Sequence, residues 1–246
     1  MLAVTEMRLR FAAIAALVLS WWTPGGSAGA PAHTPIEGQE RIEIIERLQA
    51  QQRQIASLRA TVVQRRRHPL LAAEAVSEGT FLFQKPNRIR WEVDKPDRAV
   101  MVMDGRSLVT YRPDRQEAER RDLGADFGAR AAVEFLTSGM SLAVPELEKR
   151  FQVDMHREDG LLVLVLTPRS RWAATAVASV ALYRHDRDAV PSRIVISGQR
   201  GDRTEIILTN IVVNPPVAED AFALRLGPGV RVTDLNRPGG EKGSDR

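Results

Sequence analysis

No cysteine occurs in the 246 residues. Disulfides, thiol nucleophiles and thiolate metal sites are therefore excluded, as is lipid attachment at a cysteine behind an export signal. Histidine is scarce too: His33, His68, His156 and His185 are scattered, and no pair has metal-ligand spacing. No metal site and no cofactor is expected. A glycine-rich phosphate loop is missing. For nucleic acid one wants a basic face and a reading motif, but 35 Lys and Arg against 31 Asp and Glu are mixed along the chain, for a net +4. The densest basic run is Arg65-Arg66-Arg67-His68, with Arg112, Arg115, Arg120 and Arg121 loosely grouped later. These fit a solvated sheet face, with weak attraction to an anionic membrane surface as the other use.

Converging catalytic groups are also lacking, and no enzyme activity is expected. A formal G-x-S-x-G match at Gly25 to Gly29 lies in a signal-cleavage region, where a strand-to-helix nucleophile elbow cannot form. Asp94 and Asp97 flank Lys95-Pro96 as in a solvated turn, and Arg200-Gly201-Asp202 reads as a hairpin turn. The apolar run Phe11 to Leu19 is nine residues, short of the roughly 20 a spanning helix needs.

What is present begins with an address. Arg8 and Arg10 precede that run, and Ala28-Gly29-Ala30 gives the small-x-small pattern of a cleavage site. Residues 1–30 are expected to be a cleaved signal peptide, and the protein soluble outside the cytoplasm. Residues 31–246 are long enough for one domain and a poor fit for two. The last ten or so residues are polar and glycine-rich, a flexible tail.

Within that domain the informative stretch is Gly79 to Tyr111. Phe81 and Phe83 are two apart, and Ile89, Trp91 and Val93 alternate with Arg88, Arg90 and Glu92. Period-two alternation is what a half-buried antiparallel sheet requires, and Pro86-Asn87 and Asp104-Gly105 supply its turns. Upstream, Ile42, Ile45, Leu48, Ile55 and Leu58 recur at helical spacing, an amphipathic helix of about four turns. The charged segment 116–122 reads as an exposed edge strand. Short helices are expected at 129–137 and 145–150, followed by regularly spaced strands to residue 213 and a tail carrying Phe222 and Val232. The sum is a mainly β chain of about ten or eleven antiparallel strands with about three helices, a barrel or strongly curved sheet whose concave side the helices cover.

The same stretch resembles the outer-membrane lipoprotein carrier family of the LolA type. The match runs through Gly79, Lys85-Pro86-Asn87, Arg90-Trp91, Pro96, Asp104-Gly105-Arg106 and Tyr111-x-Pro113. It continues more loosely from about residue 40 to residue 232, through Val63-Gln64, Leu166-Thr167-Pro168, Phe222 and Pro228-x-Val230-x-Val232. The resemblance implies an open, incomplete barrel with helices as a lid over an apolar cavity. It implies a monomeric periplasmic carrier that takes acylated lipoprotein, or a related envelope lipid, from an inner-membrane transporter to an outer-membrane receptor, touching membranes only transiently. A lipid-sensing regulatory domain of the same architecture is the alternative. The cavity wall is expected from Phe81, Phe83, Ile89, Trp91, Met101, Met103, Val109 and Tyr111, and the lid from Ile45, Leu48 and Leu136. Lys85 stands where the family typically has an arginine that ties the lid shut, and is the latch candidate. Lysine keeps the charge but lacks the planar fork.

Overall fold

The computed structural model describes residues 33–124 and 144–236. The expected signal segment 1–30, the expected helix 129–137 with Leu136, and the tail beyond residue 236 lie outside the described residues.

Among the described residues thirteen strands form one sheet. They are β1 (Thr34–Pro35), β2 (Ser57–Arg67), β3 (Ala75–Gln84), β4 (Arg88–Lys95), β5 (Ala99–Met103), β6 (Ser107–Arg112), β7 (Glu117–Asp122), β8 (Phe151–Glu158), β9 (Leu161–Pro168), β10 (Ser179–Arg184), β11 (Arg193–Ser197), β12 (Arg203–Val213) and β13 (Arg231–Asp234). Among the described residues three α-helices accompany them: α1 (Gly38–Gln54), α2 (Val144–Glu148) and α3 (Arg171–Ala176). The spatial order is β1-β8-β9-β10-β11-β12-β2-β3-β4-β5-β6-β7-β13, and among the described residues no pairing closes the ends. Neighbours are antiparallel throughout, except that β13 runs parallel to β7. The fold is the expected open, antiparallel-dominated sheet with helices, and it has more strands than expected. β1 is two residues long, too short to display any alternation.

The charged segment is not at an edge. Beyond β7 lies β13, in parallel register with Arg231 beside Glu117, and the two side chains are ion-paired at 3.3 Å. The amides of Arg231 and Leu235 donate to the carbonyls of Gln116 and Arg120 at 2.8 and 2.9 Å. Val232, expected in the tail, thus lies on the last strand of the sheet.

Alternation decides which side chains go inside. On β8, Phe151, Val153 and Met155 are buried while Gln152 and Asp154 are exposed. Two apolar clusters follow. One joins the inward residues of β8, β9 and β10 to Ile44 and Leu48 of α1 and to Val144 and Leu147 of α2. The other joins Leu58, Ala60 and Val62 of β2 to Phe81 and Phe83 of β3, Ile89 of β4, Met103 of β5, and Ile206 and Leu208 of β12. Ile194 and Ile196 of β11 pack against both, so the clusters share a boundary. Each fully buried aliphatic side chain contributes roughly 1.5–3 kcal/mol.

The first helix is where expected, but its inward face is rotated. Ile44 and Leu48, one turn apart, are each 2% exposed, whereas Ile42 is 51% exposed and Ile45 half-buried. A polar anchor orients it: Arg41 pairs with Glu148 of α2 at 2.6 Å and donates to the carbonyl of Val153 at 3.1 Å. The far end is tied by Arg184, buried at the end of β10, which donates to Gln51 Oε1 at 2.5 Å. Burial lowers the pKa of this guanidinium to about 10, with Asp188 and Asp186 opposing the shift and Arg47 adding to it. Arg184 therefore remains charged at neutral pH.

Candidate functional site

Gly79 sets the geometry of the central strands. The β3–β4 register shifts between Glu78 and Gly79, and a Cβ on Gly79 would collide with the carbonyl oxygen of Glu92. Glycine is therefore required for close backbone approach at this irregularity. At the next turns, the side chain of Asn87 lies over Gly105, whose φ of +92° suits glycine. Asp104 accepts from the amides of Arg106 and Ser107 at 2.9 and 2.8 Å. Burial pushes this carboxyl up, but the Ser107 and Arg106 amides outweigh it, and the net effect holds Asp104 below the usual carboxylate range.

On the inner face these strands surround an apolar hollow of about 30 Å³. Val62 comes from β2, Phe81 from β3, Ile89 and Trp91 from β4, Met101 from β5, Ile194 from β11, and Ile206 and Leu208 from β12. Phe81 and Trp91 meet edge to face with ring centroids 6.0 Å apart. All eight described lining residues are apolar. On the same measure a water needs roughly 10–15 Å³, so the hollow has room for about two.

The expected cavity residues divide into three groups. Phe81, Ile89, Trp91 and Met101 line the hollow. Phe83 and Met103 face the same way but are sealed in the core, 0% and 1% exposed. Val109 and Tyr111 do not belong to the wall: they pair with Val102 and Val100, whereas Met101 pairs with Thr110 and Met103 with Leu108. Pairing partners share a face, so Val109 and Tyr111 point out of the opposite side of the sheet. That outer side is crossed by the segment after β12. Arg90 donates to the carbonyls of Ala221 and Ala223 at 3.3 and 3.4 Å, and the Arg88 guanidinium lies 6.0 Å from the Phe222 ring centroid. Of the expected lid residues, Leu48 is in the neighbouring cluster and Ile45 packs against it, and neither lines the hollow. The wall residues on β2, β11 and β12 are not among those the sequence points to. Their own alternation marks them as inward, but no local pattern brings those strands against β3 and β4.

Lys85 makes a contact suited to a latch. Its Nζ donates to the carbonyl of Gln52 in the last turn of α1 at 2.7 Å, and its amide donates to the carbonyl of Ala56 at 2.9 Å. A cation at a helix C-terminus satisfies an orphan carbonyl and complements the macrodipole. Asn214, at φ +56°, completes the fixture: its Oδ1 accepts from the amides of Ala56 and Ser57 at 2.7 and 3.2 Å, and its Nδ2 donates to Gln54 O at 2.8 Å.

Two further features lie away from the hollow. The loop joining β2 to β3 carries Leu70 and Leu71, 87% and 64% exposed. Exposed Arg65, Arg66 and Arg67 lead into it, Arg203 is paired with Arg67, and the ring of Pro69 borders Gly201. The histidines, expected to be scattered, are not all so: the rings of His33 and His156 are 4.4 Å apart between centroids, and Glu158 lies beside them. The pairing of β1 with β8 brings together residues far apart in sequence.

These features define a mostly β protein with an open sheet, an apolar hollow on its inner face, and a helix tied across the same face by polar anchors. A model of the family described as outer membrane lipoprotein carrier protein LolA matches residues 53–225, and the chain belongs to that family. Among similar proteins are the outer-membrane lipoprotein carrier proteins of Bordetella avium (strain 197N), 26% identical over 66% of this chain and 73% of the relative, and of Chromohalobacter salexigens, 28% identical over 67% and 72%. Among solved structures, an uncharacterized conserved protein from Thermus thermophilus aligns with 80% of this chain and 99% of its own at 15% identity, TM-score 0.48. A LolA superfamily protein from Nitrosomonas europaea aligns with 74% and 97% at 14% identity, TM-score 0.43. The family is one of carriers, and lipoprotein is the cargo its name states.

Proposed function

We propose that this protein is a monomeric periplasmic carrier that, after removal of residues 1–30, accepts the acyl chains of lipoproteins from an inner-membrane transporter and delivers them to an outer-membrane receptor. The observation that carries this reading is the wholly apolar hollow on the inner face, in a chain of a lipoprotein-carrier family. At roughly 0.8 kcal/mol per methylene, a sixteen-carbon chain in water is unfavourable by on the order of 10 kcal/mol. An aqueous crossing therefore demands an apolar enclosure.

A hollow of about 30 Å³ does not hold such a chain, so loading parts the inner face. Trp91 and Met101 are half-buried and have room to move; methionine in particular refills irregular space at small cost. The polar ties of α1, Lys85 to Gln52 and Arg184 to Gln51, are the contacts that hold the contracted state. Delivery requires the carrier to bind more weakly than its acceptor, which favours a closed form that competes with cargo. No step of this cycle needs catalysis. Leu70 and Leu71, flanked by arginines, suit brief contact with an anionic lipid surface.

Native mass spectrometry and lipid extraction of the protein purified from its own periplasm test the proposal. Co-purifying lipoprotein supports it and identifies the cargo; a free envelope lipid instead would change the cargo and keep the carrier. Empty protein that takes up no acylated probe, even as the Lys85→Ala variant, would overturn it.

A further inference from the structure

Outside the hollow, one side-chain cluster has the composition of a ligand set, and nothing in the carrier cycle uses it. Thr34 pairs with Arg157 and Pro35 with His156, and the Ile36 amide donates to Met155 O at 2.8 Å. One step further along this antiparallel register sets His33 opposite Glu158. His156 and Glu158 are two apart on β8 and so share a face, and His33 joins them from the neighbouring strand.

The donor atoms of the three side chains all lie within 4.8 Å of one another. His156 Nε2 is 3.6 Å from Glu158 Oε2. Ligands at about 2.0–2.1 Å from a tetrahedral ion are roughly 3.3 Å apart, so small side-chain rotations would bring the three into range. A second observation points the same way. His156 Nε2 is buried and has no hydrogen-bond partner, an arrangement that calls for an explanation in a native fold. Tyr183 is on the same face and close to Glu158, placed as an outer partner of the kind that orients a ligating carboxylate.

We infer that His33, His156 and Glu158 bind a divalent transition metal ion of the zinc class, clamping the segment before β1 onto the edge of the sheet. Two imidazoles and a carboxylate suit zinc better than magnesium or calcium, which prefer oxygen ligands. The fourth position is left for water. Because His156 and Glu158 face away from Val153 and Met155, the ion sits on the opposite side of the sheet from the hollow and does not compete with an acyl chain.

The test is a zinc titration of the untagged protein by calorimetry, repeated with cobalt(II) and read by its visible spectrum. One equivalent should bind, with a raised melting temperature and the absorption of a tetrahedral nitrogen–oxygen site. His33→Ala and Glu158→Gln should each weaken binding by at least about 100-fold, the upper end of what losing an outer-shell partner costs. His68→Ala and His185→Ala should leave it unchanged. His33 is exposed, so its variant folds and reads binding alone. Absence of saturable one-to-one binding, or binding that survives His33→Ala and Glu158→Gln, would overturn the inference.

Discussion

Replacing Trp91 with glutamate puts a carboxylate into the hollow between Phe81, Ile89 and Met101. No described residue lining the hollow is a cation that could compensate it. A chain that avoids the carboxylate forfeits contact over some four methylenes, about 3 kcal/mol at 0.8 kcal/mol each. That corresponds to roughly a hundredfold loss of affinity. The matched control is Val109→Glu. This residue belongs to the same linear stretch but faces out of the other side, directly across from Arg120, which can pair with the new charge. Titration with a fluorescent acylated probe should show the loss in Trp91→Glu and near-native binding in Val109→Glu, with thermal unfolding run in parallel to confirm that both fold. Equal loss in two folded variants would mean that binding does not occur on the inner face, and the argument from register would fail.

Three further outcomes are expected. Lys85→Ala removes a charge-assisted bond to the end of α1 and should cost about 1–2 kcal/mol in urea unfolding, whereas Lys85→Arg should retain it; no change in the alanine variant would dissociate Lys85 from the latch role. Phe83→Ala empties a fully buried site and should cost about 3–5 kcal/mol, lowering the melting temperature by about 10 °C for a domain of this size. Asp104 has a folded-state pKa below its ordinary value, so its stabilising contribution is fully present above the usual carboxylate range and is lost as pH falls through the folded value. The melting-temperature advantage of the native chain over Asp104→Asn should therefore be constant from pH 7 to about 5 and shrink below about 4.

Much of the architecture is legible in the sequence because alternation is a local property. The β3–β4 and β4–β5 hairpins keep parity: Phe81 pairs with Trp91 and Trp91 with Met101, so odd-numbered residues remain on one face. The turn at Asp104 to Arg106 breaks that count. Met103 pairs with Leu108, and on β6 the even-numbered residues face inward. Counting by twos through this turn moves Val109 and Tyr111 to the wrong side, and only the turn's own hydrogen bonds reveal the change. The contributions of Ile194, Ile206 and Leu208 are hidden for another reason. β2 pairs with β12 across most of the chain, and sheet order leaves no trace in local periodicity. The pairing of β1 with β8 that unites His33 and His156 is equally non-local, and two residues of strand offer no pattern to find.

The two outermost strands of the sheet are also its shortest, β1 with two residues and β13 with four. Both come from the extremes of the described chain, and each occupies hydrogen-bonding groups that β8 and β7 would otherwise present. A carrier that loads and unloads by parting its inner face, as proposed above, risks offering a long sticky border to other copies of itself. Here the strands around the hollow and the borders are separate. The interior strands can splay apart while the rims stay stitched, so exchange of cargo need not expose a template for strand-by-strand polymerisation.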